Sequence, residues 1–116
     1  MVAITSLHIQ DLEGAQLPHF NGTTLNGIQI DDAYFRGRVS VIHFWFKGCE
    51  PCLEEIPGLN ALAEHFKNQD VNFLAIGHEQ TNIIEEFSRQ HPLNFSQLTE
   101  GRSVIDKAFK YKASYP

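Results

Sequence analysis

Residues 39–57 read VSVIHFWFKGCEPCLEEIP. The first eight, Val39 to Phe46, are β-branched and aromatic, with Ser40 and His43 as the polar interruptions. A run this short and this apolar predicts a central strand covered on both faces. Beyond Lys47-Gly48 the period changes. Leu53, Ile56, Leu59, Leu62, Ala63 and Phe66 recur at steps of three and four, which predicts an amphipathic helix from Pro51 to Asn68. Pro51 suits the first turn, where its missing N–H would have no intrahelical partner. Pro57 removes an interior hydrogen bond, so a kink is expected near Glu54.

Working outward, Val71 to Ile76, closed by Gly77, reads as a second buried strand. Thr81 or Asn82 is the expected cap of a helix running to about Gln90, with Ile83, Ile84 and Phe87 on its apolar side and Pro92 marking its end. A short strand at Phe95 to Leu98 and a helix from Ser103 to Tyr111 follow. Residues 1–38 are rich in turn-formers (Gly14, Pro18, Asn21-Gly22, Asn26-Gly27, Gly37), with short alternating pieces at Ser6 to Gln10 and Gly27 to Ile30 that predict small strands or hairpins. Strands alternating with helices predict an α/β fold with parallel pairings.

At 116 residues the chain is expected to form one domain, and 42% hydrophobic with 20% charged residues argues against disorder. The longest apolar stretch is that of Val39 to Phe46, far short of the ~20 residues that span a bilayer, so no membrane insertion is expected. Nine basic against fourteen acidic residues, the basic ones scattered, argue against a nucleic-acid partner. Met1 to His8 lack a basic n-region and an apolar h-region, so the chain as written is expected to carry no export signal. An initiator Met ahead of a mature domain would read the same.

Two cysteines three apart cannot build the disulfide framework of a small secreted scaffold. They are expected to serve chemistry or a metal. A structural zinc needs four ligands, and the chain has no second Cys pair and no closely spaced His pair. Leu53 stands where haem attachment would need histidine. At a strand-to-helix junction the free N–H groups of the first helical turn favour negative charge, which draws a thiol pKa from ~8.5 toward roughly 3.5–7.5. Cys49 is therefore the expected exposed nucleophile. Cys52, one turn on and deeper, is the expected resolving thiol. Glu50 opposes the thiolate, which predicts a moderately reducing pair rather than a strong oxidant near about −120 mV.

The segment from Phe44 through CEPC to Leu53-Glu54-Glu55-Ile56-Pro57 resembles the active-site segment of the TlpA/ResA-like thiol-disulfide oxidoreductases of the thioredoxin superfamily. Leu17-Pro18-His19-Phe20 is similar to that family's entry segment. Tyr111 to Pro116 is similar to its approach to the cis-proline. The resemblance implies a thioredoxin-like α/β fold, a central mixed sheet flanked by helices, with residues 1–38 as an N-terminal extension and 39–116 as an incomplete core of one domain. It implies Cys49 and Cys52 as the redox pair, Glu55 as the carboxylate near the buried sulfur and Pro116 as the cis-proline. No cofactor or metal is implied. The implied partners are a disulfide-containing protein and a thiol-disulfide electron donor, in a periplasmic or otherwise extracytoplasmic setting, with cytochrome c maturation as one family role.

Three departures from the family pattern matter. Gly48 replaces a tryptophan, which should open one side of the substrate groove unless Phe46 or Lys47 fills it. His43 stands where thioredoxin has a buried aspartate. A neutral imidazole there would relay a proton to Cys52, a charged one would stabilise its thiolate, and a core histidine bonded to backbone would do neither. The family's closing hairpin and helix are expected to be missing after Pro116, leaving an unpaired sheet edge prone to association.

Glu54 is expected in solvent. His78 and Glu79 follow a strand end on the rim that carries Cys49, where they either meet the site or are simply solvated. His8, His19, His65 and His91 read as surface residues, and Phe87, Phe95 and Phe109 as core. Two other functions compete with thiol exchange: a redox-inert thioredoxin-like binding module, and a peroxidatic enzyme. The latter is disfavoured because Lys47 and Gly48 stand in the stretch where a threonine is expected.

Overall fold

The computed structural model describes residues 2–4, 14, 16–111 and 115. Its elements are β1 (Val2–Ile4), β2 (Gly22–Thr23), β3 (Gln29–Ile30), α1 (Asp32–Phe35), β4 (Val39–Trp45), α2 (Glu50–Glu54), α3 (Ile56–His65), β5 (Val71–Gly77), α4 (Thr81–Gln90), β6 (Ser96–Leu98) and a π-helical turn, Val104–Ala108. Four strands form one sheet in the order β1-β4-β5-β6. All three of its described pairings are parallel, and among the described residues antiparallel pairing is confined to β2 with β3.

β4 and β5 run side by side from Val39↔Val71 to Trp45↔Gly77, and the alternation of their side chains splits the core in two. Ile42, Phe44, Leu74 and Ile76 face one layer with Phe20, Ile30, Ile105, Phe109 and Tyr111. Val41, Trp45 and Ala75 face the other with Cys49, Cys52, Leu59, Ala63, Ile84, Phe87 and Phe95. Burial on both faces is why these strands read as unbroken apolar runs.

The helix expected from Pro51 to Asn68 is two helices. Glu55 closes α2 and opens α3 with no side-chain cap bond, and Pro57, in the first turn of α3, has no N–H with which to continue α2. The expected kink is thus a break centred on Glu55. α4 starts at Thr81, but without the expected capping bond: no side chain caps it, and the Thr81 hydroxyl lies 2.7 Å from that of Thr99. The predicted helix at Ser103–Tyr111 is shorter and wider, with Phe109 N–H bonded to Val104 O. It closes through Lys110 at φ 54° and a bond from Tyr111 N–H to Ile105 O.

In the N-terminal region, Gln29–Ile30 confirms a strand within the expected piece Gly27 to Ile30, and it pairs with Gly22–Thr23. The piece Ser6 to Gln10 and His8 lie outside the described residues. Both described edge strands, β1 and β6, are three residues long, and Gln97 O on β6 accepts the Leu25 N–H. Short edge strands are a poor template for further strands.

Candidate active site

Trp45 ends β4 and Glu50 begins α2, and the four residues between them carry the site. Cys49 N–H donates to Phe46 O at 3.1 Å, which folds the Lys47-Gly48 turn back under the first cysteine. Cys49 is itself the N-cap of α2. Its sulfur accepts the Cys52 N–H at 3.2 Å, as a Ser or Asp oxygen does at other helix starts. The two cysteines are joined in a disulfide with Cα atoms 5.2 Å apart. α2 is only five residues long, and the Cys52 N–H is the donor of its first turn that is aimed at the Cys49 sulfur.

Cys49 was expected to be exposed above a buried Cys52; in this oxidised pair both are buried, at 3% and 2% exposure. Each sulfur covers the other, and Phe46, Leu53 and Tyr115 pack against the cluster that contains them. Gly48 is exposed, and a Cβ there would meet the Phe46 ring edge at no less than 3.7 Å. The groove side that Gly48 leaves open is thus flanked by Phe46.

His78 and Glu79 do meet this turn. Glu79 Oε1 accepts the Lys47 N–H at 2.9 Å. His78 donates its backbone N–H to Trp45 O, its imidazole stacks on the Phe46 ring, and its Nε2 lies 2.8 Å from the Tyr115 hydroxyl. Burial lowers the His78 pKa, and burial with nearby Asp106 pushes the Tyr115 hydroxyl up to about 12. Nothing in the sequence pattern marks Tyr115 as this partner. Pro116, the expected cis-proline, lies outside the described residues.

Behind Cys52, His43 is 1% exposed, on the same face of β4 as Val41 and Trp45. Its Nδ1 lies 3.7 Å from Glu55 Oε2, beyond a direct hydrogen bond. That oxygen is shielded from solvent and accepts no hydrogen bond, while the Glu55 side chain as a whole keeps 37% exposure. Burial holds His43 at about 4 and raises Glu55, so the imidazole is neutral at pH 7. Gln97, also buried, was missed by sequence reasoning; its Oε1 accepts the Trp45 indole N–H at 3.2 Å. A single glutamine in a short strand carries no signal that would have found it.

The remaining residues are peripheral. Glu54 is exposed, as expected. His19 pairs with Asp32 at 2.9 Å on the surface, an interaction with no signature in the sequence. His65 is exposed beside Phe66, and the exposed His91 stacks on Phe87. Phe87, Phe95 and Phe109 are buried. Among the described residues no group of three or more His, Cys, Asp or Glu is gathered as a metal site, and no helix is long and apolar enough to cross a membrane.

A parallel β-sheet with helices on its flanks and a C-x-x-C disulfide where a central strand hands over to a helix defines a thioredoxin-superfamily domain. Residues 14–115 match the AhpC/TSA family, and the chain belongs to it. Among curated relatives, the thiol-disulfide oxidoreductase ResA of Bacillus thuringiensis subsp. konkukian is 32% identical over 97 residues, 83% of this chain and 56% of that protein. ResA of Bacillus subtilis is 30% identical over 96 residues, 81% of this chain and 54% of that one. The chain thus spans about half the length of these relatives. A secreted Mycobacterium tuberculosis disulfide oxidoreductase, homologous to E. coli DsbE, has a solved structure that matches with a TM-score of 0.65 at 29% identity, over 78% of this chain and 67% of that one. The thioredoxin domain of a Bacteroides vulgatus thiol-disulfide oxidoreductase shares the fold, with a TM-score of 0.76 at 18% identity over 88% of this chain and 76% of its own.

Proposed function

We propose that this chain is a thiol-disulfide oxidoreductase that exchanges or reduces protein disulfides through Cys49 and Cys52. Cys49 is the attacking sulfur and Cys52 the resolving one. In the reduced state the Cys49 thiolate attacks a substrate disulfide and expels one substrate thiolate. The Cys52 thiolate then attacks Cys49, forming the intramolecular disulfide and releasing the second substrate sulfur. Two electrons leave the protein, and no cofactor takes part. The observation that carries this reading is the Cys52 N–H aimed at Cys49 Sγ, a donor that stabilises negative charge on that sulfur once the disulfide opens.

Glu55 supplies the carboxylate on the buried side of the pair. Residues 1–116 act as one thioredoxin-like domain, with 1–38 as an extension and 39–116 as its core. The substrates are disulfide-containing proteins, the reductant is a thiol-disulfide donor, and the setting is extracytoplasmic; the ResA relatives and the secreted M. tuberculosis homologue support these assignments. Cytochrome c maturation and extracytoplasmic redox homeostasis are the two processes that such an exchange would serve.

The test is insulin reduction driven by dithiothreitol, with Cys49→Ser as control. The wild type should accelerate precipitation of the insulin B chain and the variant should not; equal rates would refute thiol exchange. One observation favours the redox-inert binding module: both sulfurs are buried, as in a structural disulfide. That reading requires the pair to resist dithiothreitol. Peroxide consumption that depends on Cys49 would instead establish peroxidatic chemistry.

A further inference from the structure

Three backbone bonds hold the turn that leads into Cys49. Trp45 O accepts the His78 N–H at 3.2 Å, Phe46 O accepts the Cys49 N–H at 3.1 Å, and the Lys47 N–H donates to Glu79 Oε1 at 2.9 Å. Of these three, the last is the one made by a side chain. It takes the amide of Lys47, so it does not depend on which side chain stands at that position. Gly48 follows, exposed, with open space where a Cβ would lie except for the Phe46 ring 3.7 Å away. A glycine in open space adds conformational freedom to a turn rather than restraint. The carboxylate of Glu79 supplies the restraint that Gly48 does not.

Glu79 is itself fixed from behind. Its carbonyl accepts the Glu100 N–H at 2.7 Å, Gly77 O accepts the Gly101 N–H at 2.8 Å, and the Thr81 and Thr99 hydroxyls lie 2.7 Å apart. Glu100 adopts φ 53° in this arrangement, a left-handed backbone uncommon outside glycine. A Cβ at Gly101 would collide with Ile76 Cγ2, so the loop at 99–101 sits tight against the end of β5. The base of the Glu79 side chain is thus as firmly placed as the strand it follows.

The geometry points to Glu79 as a positioning residue for Cys49: its carboxylate pins the Lys47-Gly48 turn and thereby holds the Cys49 sulfur in line with the Cys52 N–H and with an incoming disulfide. This deepens the thiol-exchange reading and rests on it. The effect travels through the backbone of residues 47–49, and what it contributes is orientation of the nucleophile. The charge of Glu79 is a separate effect, since a carboxylate near the turn opposes the thiolate. Glutamine at this position keeps an acceptor oxygen and drops the charge, whereas alanine drops both. The other ionisable groups about the turn are Lys47 and Glu50 on it, His78 and Tyr115 beside it, and Arg102 and Asp106 behind His78. All of them are common to the two variants.

The experiment mixes fully reduced protein with 5,5′-dithiobis(2-nitrobenzoate) in a stopped-flow instrument, for the wild type, Glu79→Gln and Glu79→Ala. The first release of thionitrobenzoate reports attack by Cys49. Its rate is followed against pH up to the plateau at which Cys49 is fully thiolate. Both variants should shift the midpoint of that profile alike, through the lost charge. On the plateau Glu79→Ala should be slower than Glu79→Gln by at least about threefold, since one hydrogen bond is commonly worth about two- to tenfold. Amide exchange at Lys47, read by NMR on the oxidised protein, should be faster in Glu79→Ala than in Glu79→Gln by a similar factor. The inference is overturned if the two variants share one plateau rate, because only the charge of Glu79 would then matter. It is equally overturned if Lys47 exchanges alike in both. Should Glu79→Ala fail to fold by circular dichroism, Glu79→Leu, which also lacks an acceptor, takes its place. Failure of thiol exchange itself would appear as loss of the first phase in the wild type, a different result.

Discussion

Replacing His43 by Gln should remove a specific acid sensitivity of the fold. In the folded chain the buried imidazole titrates at about 4, against 6.5 for an exposed histidine. Between those values the unfolded chain binds a proton that the folded chain refuses. Stability therefore rises with pH across that window and is lost as pH falls through it. Integrating the two titrations, His43 removes about 2 kcal/mol between pH 7 and pH 5, and about 3 kcal/mol by pH 4. Glu55 acts in the opposite sense. Its folded pKa is raised, so its stabilising contribution is present at low pH and is lost as pH climbs above the ordinary carboxylate range. The assay is equilibrium urea unfolding of the oxidised protein at pH 7, 6, 5 and 4, comparing wild type with His43→Gln. Carboxylates remote from His43 titrate alike in both proteins and cancel in the difference, whereas Glu55, 3.7 Å from the imidazole, is coupled to it. A difference of about 2 kcal/mol opening between pH 7 and 5 is expected. Parallel profiles, within about 0.5 kcal/mol from pH 7 to 4, would refute the assignment of a neutral, desolvated imidazole.

Two further outcomes follow from the packing around Trp45. A methyl group on Gly77 would lie 2.8 Å from Ile84 Cδ1 and 3.0 Å from the indole, so Gly77→Ala should destabilise the chain by about 1–3 kcal/mol through overpacking, read as a lower urea midpoint. Gln97→Leu should cost about 1–3 kcal/mol by leaving the buried indole N–H without its acceptor, and should shift the emission of Trp45, the chain's one tryptophan, to shorter wavelength. An unchanged emission maximum would show that the indole N–H finds another partner.

The strands and helices of the second half were legible because their burial is periodic. β4 and β5 are covered on both faces and read as apolar runs, and α4 shows its stripe through Ile84 and Phe87. The break at Glu55 was foreshadowed by Pro57, whose missing N–H is a local property of one residue. α1 was overlooked, although Asp31 caps it through a bond from Tyr34 N–H; a four-residue helix has too few turns to show a period. The pairing of Val2–Ile4 with Ser40–Ile42 had no visible sign either, since which edge a short strand joins depends on what the rest of the sheet leaves open.

Within the site, the cysteine pair and its place at a strand-to-helix junction were determined by the sequence alone, because three-residue spacing on a helix start brings two side chains together whatever surrounds them. Burial of the outer sulfur, the contact of His43 with Glu55 across twelve residues, the approach of Glu79 to Lys47 and the meeting of His78 with Tyr115 were decided by the tertiary structure. Each of these joins residues from different elements. Their distances depend on how β4 and β5 align and on where the helices settle over them, which is a property of the packed chain and not of any segment in it.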